Sequence, residues 1–141
     1  MNLATILQRR GGATVSVPPD MPVSKVVELL TDNRIGAVPV IEDGQVIGIM
    51  SERDVIRALR RDGAAILGWA VERVMTRPAI TVDSSISPLV GLSLMTQRRI
   101  RHLPVVDGGR LTGFISIGDL VKARIDLIES ESEAMRAYIA S

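Results

Sequence analysis

The feature that most limits how this chain can fold is a motif that occurs twice in the same phase. Ile35-Gly36-Ala37-Val38-Pro39-Val40-Ile41, then Glu42-Asp43-Gly44-Gln45, then Val46-Ile47-Gly48-Ile49-Met50-Ser51-Glu52-Arg53-Asp54 returns 65 residues later. The second copy is Ile100-Arg101-His102-Leu103-Pro104-Val105-Val106, Asp107-Gly108-Gly109-Arg110 and Leu111-Thr112-Gly113-Phe114-Ile115-Ser116-Ile117-Gly118-Asp119. Between residues 17 and 57 the shift needs no gap, and eleven of the 41 positions are identical. They include Arg34/Arg99, Pro39/Pro104, Gly48/Gly113, Ser51/Ser116 and Asp54/Asp119. Ordinary residue frequencies give about 6% agreement by chance. The chain therefore holds two copies of one supersecondary unit.

Each copy reads as strand, helix, strand, tight turn, strand and helix. In copy one, Ala13–Val17 is β-branched and alternating, which predicts a short strand. Pro18-Pro19-Asp20 is a turn. From Pro22 the apolar period becomes helical through Val23, Val26, Val27 and Leu30, ending near Arg34. Residues 37–41 and 46–50 are apolar strands, and Asp43-Gly44 favours the positive φ of a type I′ hairpin. A helix follows from Glu52 to Gly63. Copy two repeats this with a strand at 79–82, a helix at 87–99, the hairpin, and a helix from Ile117.

Short apolar lead-ins precede both copies. Residues 2–8 predict a helix stopped by Gly11-Gly12, and residues 64–75 predict an amphipathic helix. The expected division is residues 1–63, residues 64–125, and a C-terminal helical extension at 126–141. One β-α-β-β-α copy is too small to cover both faces of its sheet. Two copies packed sheet to sheet solve this, which predicts one compact, pseudo-twofold domain of mixed α/β (α+β) class with clefts where the copies meet.

Composition narrows the chemistry. With 141 residues there is room for a real core, built from aliphatics because Trp, Tyr and Phe occur once each. Seventeen basic against sixteen acidic residues leave +1, no footprint for nucleic acid. There is no cysteine and one histidine, which removes thiolate chemistry and argues against a zinc site. No apolar run approaches the ~20 residues of a membrane span, and no signal peptide is evident, so a cytoplasmic location away from membranes is expected. No phosphate loop or catalytic triad pattern stands out. An enzyme is not expected.

Two constellations could carry binding. Gly48-x-x-Ser51-x-x-Asp54 and Gly113-x-x-Ser116-x-x-Asp119 stand where strand becomes helix. One reading is a capping box, in which the Ser hydroxyl caps the helix and the Asp bonds back. The other is a ribose site, with Asp accepting from sugar hydroxyls and the helix start holding phosphate. The second constellation is Arg101-His102, which faces Gly36-Ala37 in the repeat alignment. It reads either as two surface side chains or as a phosphate clamp, with Gly36-Ala37 leaving room for a base or sugar. Arg53 is either an exposed helix residue or added positive charge near the same cleft.

The order lead-in helix, strand, helix, I-x-x-x-P-V-x-x-x-G, G-x-x-S-x-x-D, twice over about residues 2–125, resembles a tandem pair of cystathionine β-synthase (CBS) domains, the Bateman module. The resemblance implies a stand-alone regulatory CBS pair that binds an adenosine ligand between its copies. AMP is the expected ligand, with ATP, NAD or S-adenosylmethionine as alternatives. It implies dimerisation into a disc of four repeats and an unidentified effector protein. Asp54 and Asp119 match the ribose aspartates, and Ser51 and Ser116 the neighbouring hydroxyls. The cleft of Asp54 would then take Ala79, Ile80, Arg101 and His102. The cleft of Asp119 would take Thr14, Gly36 and Ala37. Copy one departs from the pattern because Gly36-Ala37 carries no charge, so phosphate is expected in the Asp54 cleft. A ligand-free interaction module is the competing expectation.

Beyond the repeats, Ile125, Ile128, Met135 and Ile139 could form a helical stripe, broken by the polar run Glu129–Glu133. That segment packs on its own domain, across a homodimer, or on another protein.

Overall fold

A computed structural model describes residues 1–140. The chain runs α1 (Leu3–Arg10), α2 (Val23–Asn33), β1 (Ala37–Glu42), β2 (Gln45–Ser51) and α3 (Glu52–Asp62). Two 3₁₀ turns follow, Gly63–Gly68 and Val71–Arg73, then α4 (Pro88–Arg98), β3 (His102–Asp107), β4 (Arg110–Ser116) and α5 (Ile117–Ala140). The mixed architecture and the two repeats agree with the expected fold.

The repeat holds down to hydrogen-bond register. β1 pairs antiparallel with β2 from Ala37↔Ser51 to Glu42↔Gln45, with a bulge at Val40/Ile41. β3 pairs with β4 from His102↔Ser116 to Asp107↔Arg110, with its bulge at Val105/Val106. Each pair is the other moved by 65. Both hairpin turns have positive φ at their two central residues, 50° and 77° at Asp43-Gly44 and 57° and 77° at Gly108-Gly109. Arg34 and Arg99 end α2 and α4 in left-handed conformation, at φ 53° and 55°. There the amides of Ile35 and Ile100 close on Leu30 and Met95 carbonyls, a cap that glycine more often provides.

Two expectations are corrected. The strands at 13–17 and 79–82 shrink to single bridging residues, Val17 on Val40 and Val82 on Val105. Val17 N–H donates to the Pro39 carbonyl and the Val17 carbonyl accepts from Ile41, with the same pattern at Val82, Pro104 and Val106. The next rung would need an N–H from Pro39 or Pro104, which proline lacks. The helix at 64–75 is two 3₁₀ turns separated by extended Trp69 and Ala70. Trp69 and Val71 spend their backbone on the start of α2: Val23 N–H donates to Trp69 O, and Val71 N–H to Met21 O. The acidic run 129–133 lies within α5, which is continuous to Ala140 because Glu and Ser are tolerated in helix interiors.

Two hydrophobic clusters form, one per hairpin, and each takes its lead-in from the other end of the sequence. Ile66, Val71 and Met75 join the first cluster, around Val38, Val40 and Met50. Leu3 and Ile6 of α1 join the second, around Leu103, Val105 and Ile115. The α1 backbone also bonds across, from Leu3 N–H to Ile86 O and Ala4 N–H to Ser84 O. The repeats are thus interlocked, each core containing a piece that precedes the other copy in sequence.

Candidate functional site

Two clefts open where the repeats meet, each at the strand-to-helix junction of one copy. At the first junction Ser51 caps α3 and Asp54 completes a capping box. Asp54 is only 4% exposed. Its Oδ2 accepts from the Ser51 N–H and Oγ, both at 2.9 Å. Its Oδ1 accepts from Thr76 Oγ1 at 2.7 Å, and the Arg57 guanidinium stands 3.7 Å away. A carboxylate has about four acceptor positions, so three are engaged within the chain.

The cavity beside Asp54 measures about 290 Å³. Arg53 and Arg57 of α3 line it from the first repeat, and Arg99, Arg101 and His102 from the second. Gly36, Ser51, Glu52 and Thr76 complete the principal lining. Four guanidinium groups against the carboxylates of Glu52 and Asp54 leave two positive charges when His102 is neutral. Such a basin favours an anion.

The second cleft, about 450 Å³, lies beside Asp119. Its floor is Thr14, Gly36, Ala37, Phe114, Ser116 and His102, and Arg10 and Arg34 bring positive charge. Ser116 and Asp119 form the same reciprocal cap, with Ser116 N–H donating to Asp119 Oδ2 at 2.9 Å and Asp119 N–H to Ser116 Oγ at 3.1 Å. Here the two copies diverge. Asp119 is a quarter exposed, and its Oδ2 holds the Arg10 guanidinium at 2.9 Å. Where Asp54 takes the Thr76 hydroxyl at 2.7 Å with Arg57 standing off at 3.7 Å, Asp119 holds a cation from the end of α1 at 2.9 Å.

His102 stands between the two clefts and lines both. It lies directly across from Ser116 in the β3–β4 pairing. Its ring stacks on Phe114 at a centroid distance of 5.5 Å and 8° between planes. Burial holds its imidazole below the usual histidine range, opposed by Glu52 and Asp119 and assisted by Arg101. A Cβ on Gly36 would lie 3.7 Å from both the Glu52 side chain and His102 Cε1, ordinary van der Waals contact, so Gly36 sits between these two groups of the first and second clefts.

Both proposed caps form, and the binding alternative stays compatible with them because the same side chains face cavities. Ser51, Arg53, Asp54, Arg101 and His102 share the first cleft; Thr14, Gly36, Ala37, Ser116 and Asp119 share the second. His102 and Gly36 belong to both rather than to one. Ala79 and Ile80 line neither cavity, and Ile80 packs against the second core. Thr76, Arg57 and Arg99 were missed from the sequence. The repeat gave no signal for Thr76, since Gly11 stands 65 residues earlier, whereas Arg99 was visible as a repeat identity with Arg34. Among the described residues, no cluster of three or more His, Cys, Asp or Glu is placed to hold a metal, and no helix is long and apolar enough to cross a membrane.

Comparison with known proteins gives one consistent answer. The family model described as CBS domain matches residues 13–61 and 71–126. The crystal structure of the CBS-domain containing protein ATU1752 from Agrobacterium tumefaciens is 39% identical, with a TM-score of 0.84 over 88% of this chain and 99% of that one. The mitochondrial CBS domain-containing protein CBSX3 of Arabidopsis thaliana is 34% identical over 125 residues, 85% of this chain. The chain spans 61% of that protein's length. The structure of CBSX2 in complex with AMP is 28% identical, with a TM-score of 0.69 over 81% of this chain and 89% of that one.

Proposed function

The chain belongs to the CBS-domain family, as a tandem pair of its repeats, and on that footing we propose that it binds an adenine nucleotide between them and is regulatory rather than catalytic. The observation that carries this is the Asp54 cleft: a buried carboxylate at a helix start, facing a cavity whose four arginines come from both repeats. AMP is the leading ligand. A relative of the same fold and 28% identity has been solved with AMP, and the cavity's charge suits a phosphate. ATP, NAD and S-adenosylmethionine are the alternatives.

In this reading Asp54 accepts from the ribose hydroxyls. Thr76 or Ser51 turns its hydroxyl away to free acceptor positions, since three are already engaged. Arg99 and Arg101 take the phosphate, with Arg53 and Arg57 across from them. The Asp119 cleft is a second, weaker site that uses Thr14, Gly36, Ala37 and Ser116. Arg10 occupies its carboxylate, so a ribose there must displace that ion pair. A ligand touching both repeats favours the relative orientation it fits best, and this orientation is the signal. The output runs through a dimer of four repeats to a separate effector.

Calorimetry and thermal shift with AMP, ATP, NAD and S-adenosylmethionine test the reading. At 100 times Kd a true ligand adds about 2.7 kcal/mol of stability. Arg99→Ala and Arg101→Ala, both at exposed positions, leave the unliganded melting temperature unchanged and weaken AMP about tenfold or more, as loss of a charge-assisted bond requires. Asp54→Asn keeps the side chain's shape and abolishes the shift at the first site. No response to any of the four ligands at millimolar concentration, with the protein folded, leaves the ligand-free interaction module as the correct reading.

A further inference from the structure

The last helix carries a pattern that the clefts do not use. Val121, Ile125, Ile128, Met135 and Ile139 follow one another by fours, threes and a seven, with Ser132 filling the gap. This is a heptad seam, with Ile125, Ser132 and Ile139 at a and Val121, Ile128 and Met135 at d. The five apolar members are 43% to 75% exposed. They are not the face that docks on the body. Leu120 and Ala123 are buried, and at 3.6 residues per turn they lie roughly 130° around the helix from the seam. From Arg124 to Ala140 every residue except Leu127 is exposed.

We propose that this seam pairs α5 with α5 of a second copy, as a parallel, in-register, two-stranded coil. The flanking charges select that occupant and that direction. Lys122, Glu129 and Arg136 fall at e, and Arg124 and Glu131 at g. In a parallel pair each g side chain meets the e side chain five residues further along the other helix. Arg124 then meets Glu129 of the second copy, Glu131 meets Arg136, and the twofold axis makes each contact twice. In the antiparallel arrangement that overlaps the whole seam, Glu129 meets Glu129, Glu131 meets Glu131, and Lys122 meets Arg136. Each of those charged pairs is repulsive, and Arg124 meets the neutral Tyr138. Ser132 adds register: in phase, two serines share one layer, whereas a slip by one heptad sets serine against isoleucine. A helix end of this length without packing is marginal in water, and pairing supplies the missing packing. The seam uses no residue of either cleft, so it stands or falls apart from the nucleotide reading.

The absence of cysteine from the sequence makes the test direct. In the full chain, Met135→Cys places two thiols in one d layer of the parallel coil. In the antiparallel one they lie roughly 15 Å apart, beyond the ~7 Å Cα separation a disulfide tolerates. Mild oxidation is expected to give a disulfide-linked dimer of Met135→Cys. Adding Ile128→Lys suppresses it about tenfold or more. Glu131→Arg weakens the cross-link by opposing Arg136, and the further change Arg136→Glu restores it. The proposal is overturned by a folded Met135→Cys chain that does not cross-link, by cross-linking indifferent to Ile128→Lys, or by sedimentation showing a monomer or a trimer at high protein concentration. A dimer in sedimentation without the Met135→Cys link equally overturns it, since that dimer uses another surface.

Discussion

Ser51 and Asp54 close a cap and face a cavity at once, and the fold uses one geometry for both. An aspartate at the third helical position reaches back to the cap amide, which fixes its rotamer. A fixed rotamer is also what a ligand-binding carboxylate needs. The sole histidine is His102. Its imidazole is lowered below the ordinary 6.5 mainly by burial. Near pH 6.5 the unfolded chain therefore binds more protons than the folded one, and stability rises with pH through that range. The contribution of neutral His102 is complete above the unfolded value and is lost as pH falls below it. Melting curves from pH 7.5 to 5.5 are expected to show the native protein losing stability relative to His102→Gln, which carries no such proton. Parallel pH profiles for the two proteins would show that His102 is not the group responsible.

At the scale of elements, the repeated glycines of β2 and β4 explain how the lead-ins cross between repeats. A Cβ on Gly48 would lie 2.7 Å from Met75 Sδ and 2.8 Å from the Thr76 carbonyl oxygen. That carbonyl is fixed, because Thr76 and Ile49 exchange both backbone hydrogen bonds, at 3.0 and 2.9 Å. A Cβ on Gly113 would instead strike the end of the Leu7 side chain, which can rotate. Gly48→Ala is therefore expected to cost about 2–3 kcal/mol and Gly113→Ala about 1 kcal/mol or less, as overpacking does where neighbours cannot or can yield. Urea unfolding midpoints measure both. Equal costs would mean that Leu7 is as firmly held as the Thr76 backbone. The identity of these glycines was legible in the repeat, but its cause was not, because each glycine meets the lead-in that precedes the other copy, outside its own repeat.

At the scale of the molecule, exchanged lead-ins bind the two cores into one cooperative unit. Trp69 packs on the first core and is the sole tryptophan. Leu3 is fully buried in the second. Leu3→Ala is expected to cost about 2–5 kcal/mol, the usual loss for a buried leucine. The Trp69 fluorescence transition should move down with the circular dichroism transition, although the cavity lies in the other core. A Trp69 transition left in place would mean that the repeats unfold independently.

The sequence by itself determined the repeat, the two hairpins with their positive-φ turns, the capped helix starts and the residue types at the clefts. These are local properties: period, turn chemistry and capping act within a few residues, so a linear string carries them. Tertiary structure alone decided which lead-in fills which core, why the outer strands stop at one rung, and why Thr76 rather than Ala79 and Ile80 meets the first cleft. It also set His102 between two clefts and paired Arg10 with Asp119 across 109 residues. Such contacts depend on how two nearly identical units dock, and the repeat pattern is silent on docking because it describes each unit alone.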